Sequence, residues 1–174
     1  WTVVANQAPQ VMAISNRSDA SGVAVSVPVV ATDPDGSYAN AVLASQPVAY
    51  WRLNESSGTT AADSSGQGRT ATYVSGVTLG AAGALGDATT AVTLNGAGAH
   101  IAAPNLDLTS SFTLEAWVYY TGPGAIGETS YGTLFGAAGD RRILIHSNGA
   151  LLSQVGGESW FASALVPTNT WAHV

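Results

Sequence analysis

"FTLEAWVYY", Phe112 to Tyr120, decides the fold. Phe112, Leu114, Ala116, Val118 and Tyr120 fall on one face, and Thr113, Glu115, Trp117 and Tyr119 fall on the other. Successive side chains of a strand point to opposite faces, so a period of two with aromatic residues predicts a strand with one face in a core. A second signal lies downstream, where Asn148-Gly149 separates "RRILIHS" from "ALLSQV". Asn-Gly accepts the positive φ values of a type I′ turn, which predicts a hairpin. Ile143 and Ile145 would then face the core, with Leu144 and His146 on the far side.

Working outward, helical periodicity is nearly absent. Short apolar runs, often alternating, are broken by Gly, Ser, Asn and Pro. The candidate strands are Gln10–Ile14, Val23–Ala31, Val48–Leu53, Thr70–Val74, Ala91–Leu94, Ala99–Ala102, Phe112–Tyr120, Gly132–Phe135, Arg141–Ser147, Ala150–Val155, Ser159–Ala162 and Trp171–Val174. Strands at this spacing predict an all-β fold, a sandwich of two antiparallel sheets with a jelly-roll layout. A boundary falls near "DPDGSYANAV". Residues 1–37 hold two strands, too few to bury a core alone, and the sandwich pattern occupies 38–174.

Composition narrows the function classes. Among 174 residues 46% are apolar, which excludes a disordered chain, and only 9% are charged, far below the usual quarter or so. All five cations are Arg and the net charge is −6, which argues against a nucleic-acid partner. With no Cys, disulfides and thiolate metal sites are excluded. The most apolar stretch, Ala20 to Ala31, is too short to span a bilayer and is interrupted by Ser21, Gly22, Ser26 and Pro28. No basic start leads into an apolar run, so no signal peptide is read. The chain does not begin with Met, as a processed or excised fragment would not.

Two loops are candidates for a hard cation. Asp33-Pro34-Asp35-Gly36 sets two carboxylates two residues apart, which suits Ca²⁺ and suits a tight turn equally in kind. Asp63-Ser64-Ser65-Gly66-Gln67-Gly68 offers one carboxylate and several carbonyls, for Ca²⁺ or for an Asx-turn. Catalysis finds little support. Glu55, Glu115, Glu128 and Glu158 are scattered, whereas glycoside cleavage needs two carboxylates flanking the bond. His100, His146 and His173 stand singly, without a nearby nucleophile or zinc spacing. Among the aromatics, Trp51 and Trp171 read as core. Trp160 adjoins Phe161, and one of two neighbouring strand residues should face outward. Tyr119 and Tyr120 precede the Gly-rich "TGPGAIGETSYG", which ends near Tyr131. Exposed rings at Tyr119, Tyr131 and Trp160 would stack on a sugar, anchor a protein partner, or simply close a sheet edge.

Taken in order, "AYWRLNE", "DSSGQG", "AVTLNGAGAHIAAP", "SFTLEAWVYY" and "WAHV" resemble bacterial laminin-G-like domains of the concanavalin type, from about Tyr38 to Val174. The resemblance implies a jelly-roll sandwich in a secreted or cell-surface protein, usually a non-catalytic module that binds glycans or proteins, or a spacer. It also implies a structural Ca²⁺, with a side-chain oxygen from Asp63 and a backbone oxygen from Gln67, where Asn is more usual. The family continues past the motif matched by Trp171–Val174, so the sandwich should be roughly two strands short, with an edge open to strand addition. Homopolymers formed by strand exchange would follow. Asn6 to Gly36 are similar to the opening of bacterial cadherin-like or immunoglobulin-like repeats, whose "ATDPDG" motif contributes to Ca²⁺ binding, here through Asp33 and Asp35.

Overall fold

In the computed structural model the described residues are 10–11, 31–32, 38–85, 89–106, 111–122, 131–137 and 141–174. Among them strands dominate, every strand pairing is antiparallel, and there is one helix. The chain divides into two units, Trp1–Pro47 and Val48–Val174.

In the first unit β1 (Gln10–Val11) pairs with β2 (Ala31–Thr32), Gln10 opposite Thr32. The helix α1 (Tyr38–Ala44) follows. Its sequence, YANAVLA, is mostly Ala and Leu, which lose little freedom in a helix. Gln46 ends it with a left-handed φ of 54°, its N–H bonded to the Leu43 carbonyl at 3.0 Å, and Pro47 cannot prolong it. The unit boundary therefore follows α1, later than the sequence boundary at residue 37. Asp33 and Asp35 lie outside the described residues.

The second unit holds two core clusters. The first joins β3 (Thr60–Ala61), β4 (Ala71–Val74) and β7 (His100–Ala102), in the order β3-β4-β7, to the hairpin of β5 (Thr78–Ala82) and β6 (Thr90–Thr93). Ala61, Ala71 and Tyr73 are buried there, with Trp51, Leu53, Val77, Leu79, Val92 and Ile101 packed around them. The run Val48–Leu53, expected as a strand, contributes only an isolated bridge from Trp51 to Asp63. The left-handed φ of 57° at Leu53 breaks the extended run, and the Tyr50 backbone is engaged by the Asp63 turn instead of a ladder. Strand β5 lacks a plain alternation in sequence because Gly80, at φ 83°, inserts a bulge between Leu79 and Ala81.

The second cluster is where the two-sheet packing is clearest. Strands β8 (Trp117–Tyr119) and β13 (Trp171–His173) pair, and Ala116 and Val174 extend the ladder with reciprocal bonds of 2.9 Å. Against them lies a four-stranded sheet, β12-β11-β10-β9, made of β9 (Tyr131–Ala137), β10 (Arg141–His146), β11 (Ala150–Val155) and β12 (Glu158–Leu165). Tyr120, Ile145 and Val166 are buried between the two sheets, with Leu134, Leu151, Ala172 and Val174 around them. The alternation of "FTLEAWVYY" holds from Leu114 to Tyr120: even positions turn inward and Glu115, Trp117 and Tyr119 are exposed. Phe112, beyond the ladder, is 37% exposed.

Three details correct the sequence reading. The Asn-Gly hairpin forms, but its loop is Ser147-Asn148-Gly149, closed by Gly149 N–H to the His146 carbonyl at 2.8 Å. Positive φ falls on Gly149 alone of these three, at 89°, so the turn is a type I turn followed by a left-handed glycine instead of a type I′ turn. Leu144 lies on the far side as expected, yet it is buried there. The register slips between Ile143 and Leu144, and Leu144 stands opposite the buried Leu152, so the far face carries its own apolar pair. Trp171, expected in the core, pairs with the exposed Tyr119 on the outer face, while its neighbour Ala172 packs inward. Among the described residues no helix is long and apolar enough to cross a membrane.

Candidate functional site

The Asp63 turn is densely bonded. The Asp63 Oδ1 accepts from Tyr50 N–H at 3.0 Å and Ser65 N–H at 2.9 Å. Its Oδ2 accepts from the Ser65 hydroxyl and Arg69 N–H, both at 2.8 Å. Positive φ at Gly66 (83°) and Gly68 (70°) lets the backbone wrap the carboxylate at this radius. The Trp51 indole N–H closes the same loop onto the Arg69 carbonyl at 2.7 Å. Burial opposes the charge, but the bonds from Tyr50, Ser65 and Arg69 outweigh it and hold the Asp63 carboxyl far below the usual carboxylate range.

Glu55 does similar work one strand away. Its Oε1 accepts from Ala62 N–H at 2.8 Å, and its Oε2 accepts from the Tyr73 hydroxyl. Burial opposes ionisation, yet the Tyr73 and Ala62 bonds leave the Glu55 carboxyl below its ordinary value. Burial first, then the bond and charge of Glu55, push the Tyr73 phenol well up. Two carboxylates thus stitch the 50–69 loop to the first core cluster.

This arrangement bears on a cation. A carboxylate offers about four lone-pair positions, and at Asp63 all are filled by N–H and O–H donors. Ca²⁺ asks for six to eight oxygens, and donors turned toward the carboxylate occupy the positions it would take. Gln67 is exposed, and its N–H donates to the Ser65 hydroxyl at 3.2 Å. Among the described residues no three of His, Asp or Glu cluster. Hydrogen bonds from Tyr50, Ser65 and Arg69 hold the Asp63 turn in this form.

The expected ligand-binding aromatics are all exposed but are not brought together. Tyr131 opens β9 opposite His146, with ring centroids 4.9 Å apart. Trp160 lies on β12 opposite Ser153, which stands opposite Ile143. Ile143 and His146 point to opposite faces of β10, so Tyr131 and Trp160 lie on opposite faces of the sheet. Trp160, 54% exposed, borders an open apolar cleft of about 300 Å³ with Ile143, Leu151, Ser153 and Ala162. Phe112 and Leu114 line a neighbouring cleft of about 270 Å³ with Arg142 and Val155.

Tyr119 sits in different company. Its ring meets Trp171 edge-on, centroids 5.5 Å apart, and beside it Trp117 meets His173 at 5.1 Å. Glu115 continues the same face, with an oxygen 3.9 Å from His173 Nε2. The alternation of "FTLEAWVYY" puts Glu115, Trp117 and Tyr119 on one face, where Tyr119 is the expected ligand-binding ring. The spacing of Trp171 and His173, two apart in "WAHV", was the signal that the pairing strand adds two more rings.

Compared with protein-family models, curated proteins and solved structures, the chain matches none.

Proposed function

We propose that the Val48–Val174 unit is a non-catalytic binding module of an extracellular or cell-surface protein, recognising a glycan or a surface protein. The observation that carries the reading is the exposure of Trp117, Tyr119, Tyr131 and Trp160 on a β-sandwich, at 37%, 45%, 38% and 54%. Aromatic rings left in water present flat apolar faces to a sugar ring or a partner side chain, at little cost in side-chain entropy. The two best-bonded carboxylates, Asp63 and Glu55, are occupied by structural donors, which favours binding over catalysis. The laminin-G-like resemblance, including its jelly-roll connectivity, belongs to the same proposal. A broad glycan array, read with wild type and with Tyr119→Ala, Tyr131→Ala and Trp160→Ala, tests it. Signal lost in at least one variant supports the module; an array without signal refutes glycan recognition.

One observation favours a second reading, a structural subunit joined by strand exchange. In the sheet order β12-β11-β10-β9, β12 is an edge among the described residues, and it carries Trp160 and the 59%-exposed Leu165. Its only charged residue is Glu158, so little repels a second strand. Light scattering across a concentration series tests this: growth into polymers supports it, and a constant 17.5 kDa particle overturns it.

A further inference from the structure

The outer face of the β8–β13 pair carries aromatic rings in two adjoining rows with a carboxylate at one end. Register sets Tyr119 opposite Trp171 and Trp117 opposite His173. Both ring pairs are in contact, yet Trp117 and Tyr119 stay 37% and 45% exposed, and the His173 and Glu115 side chains 41% and 50%. Strand geometry spaces Trp117 and Tyr119 by roughly 7 Å along β8, and Glu115 stands two residues before Trp117. The Glu115 oxygen is 3.9 Å from His173, too far for a hydrogen bond, so it remains open to a donor.

The chemistry of this face is specific. Aromatic faces carry negative quadrupole charge, and they attract cations and the polarised C–H bonds of a pyranose ring. The carboxylate adds a full negative charge in a chain whose net charge is −6. None of the five cations, Arg17, Arg52, Arg69, Arg141 and Arg142, lies on β8 or β13. A ligand that matches both parts has an apolar ring face and a positive group beside it.

We propose that the Glu115–Trp117–Tyr119 row, flanked by Trp171 and His173, is a binding site for an amino sugar with a free ammonium group, as along a deacetylated hexosamine chain. The sugar's C–H face lies on the Trp117 and Tyr119 rings, and its ammonium donates to the Glu115 carboxylate. This rests on the glycan-binding reading and names its ligand class and its place.

The test is calorimetric titration of the intact chain with a glucosamine oligomer, an N-acetylglucosamine oligomer of equal length, and tetralysine. Near-physiological salt, about 0.15 M, screens loose charge attraction. The glucosamine oligomer should bind about tenfold more tightly than its acetylated counterpart, because acetylation removes the charge. Glu115→Gln should abolish that preference, Tyr119→Ala should weaken binding about tenfold, and Tyr119→Phe, which keeps the ring, should bind as wild type. Equal affinity for the two oligomers, or no effect of Glu115→Gln, overturns the proposal. So does binding of tetralysine as tight as that of the amino sugar, which marks a plain anionic surface. If a neutral glycan binds and only Trp160→Ala or Tyr131→Ala disturbs it, the site assignment fails while the glycan reading stands. If no sugar binds in this titration or on the array, both fail.

Discussion

Replacing Asp63 by Asn keeps the shape of the side chain and removes its charge. The Asn Oδ1 can still accept from Tyr50 N–H and Ser65 N–H. The amide nitrogen, standing where Oδ2 was, meets the Arg69 N–H donor to donor, and that contact is lost. A hydrogen bond to a charged group contributes roughly 1.5–3 kcal/mol, and leaving a shielded N–H without a partner costs a similar amount. The loop is only half-buried and water partly replaces the lost acceptor, so the expected destabilisation is about 2 kcal/mol. For a unit of this size that lowers Tm by about 7 °C. Asp63→Ala, which removes all the acceptors, should cost more, about 3 kcal/mol.

The sign with pH follows from the direction of the shift. The folded-state carboxyl lies below its unfolded value, so its contribution is complete above the unfolded Asp value of about 3.9 and fades as pH falls toward the folded value. The Tm gap between wild type and Asp63→Asn should therefore be full at pH 7 and narrow steadily below about pH 4. The same melts, run with Ca²⁺ and with a chelator, should agree for wild type, because hydrogen bonds hold the turn. The reasoning is refuted if Asp63→Asn melts within about 1 °C of wild type, or if chelation lowers the wild-type Tm as far as the substitution does.

Further expectations concern the same unit. Tyr73→Phe removes the hydroxyl bonded to Glu55 and should lower stability by about 1–2 kcal/mol in urea, and a double-mutant cycle with Glu55→Gln should show coupling. Gly149→Ala sets a Cβ 2.6 Å from the Val166 carbonyl oxygen at φ 89°, and its urea midpoint should fall by an amount equivalent to about 2–3 kcal/mol. Ile145→Ala, at a residue 2% exposed, should cost about 2–5 kcal/mol in the same titration. Leu144→Ala should cost at least about 2 kcal/mol; a loss under about 0.5 kcal/mol would return Leu144 to a solvent face.

Period-two patterning made the sandwich legible where strands run straight. Leu114 to Tyr120 alternate in sequence and in exposure, and Ile145 is buried as its position predicts. Patterning failed where the backbone departs from a straight ladder. The bulge at Gly80 hid β5, and the left-handed Leu53 cut short the run after Val48. Those departures depend on φ values and on partner strands, which a single run of residues does not carry. The candidate site was legible by residue type and not by assembly. Tyr119, Tyr131 and Trp160 are each exposed, but register sets Tyr131 and Trp160 on opposite faces and gives Tyr119 the companions Trp117, Trp171 and His173. Asp63 was legible as a turn residue, and whether its oxygens face donors or a cation depended on where Tyr50 and Arg69 arrive.

The Asp63 turn also has a consequence for the order in which the chain assembles. Its contacts reach Tyr50 and Arg69, 13 and 6 residues away, and the Trp51 indole closes over 18. Loops this short close with little entropic penalty, so the turn and the Ala61–Ala71–Tyr73 cluster form a local nucleus available early in folding. The β8–β13 pair joins Ala116 to Val174 across far more chain and waits on that slower search. During synthesis the exposed rings of Trp117 and Tyr119 therefore emerge well before their partner strand, and the interval before Trp171 arrives is when this chain is most open to pairing with another.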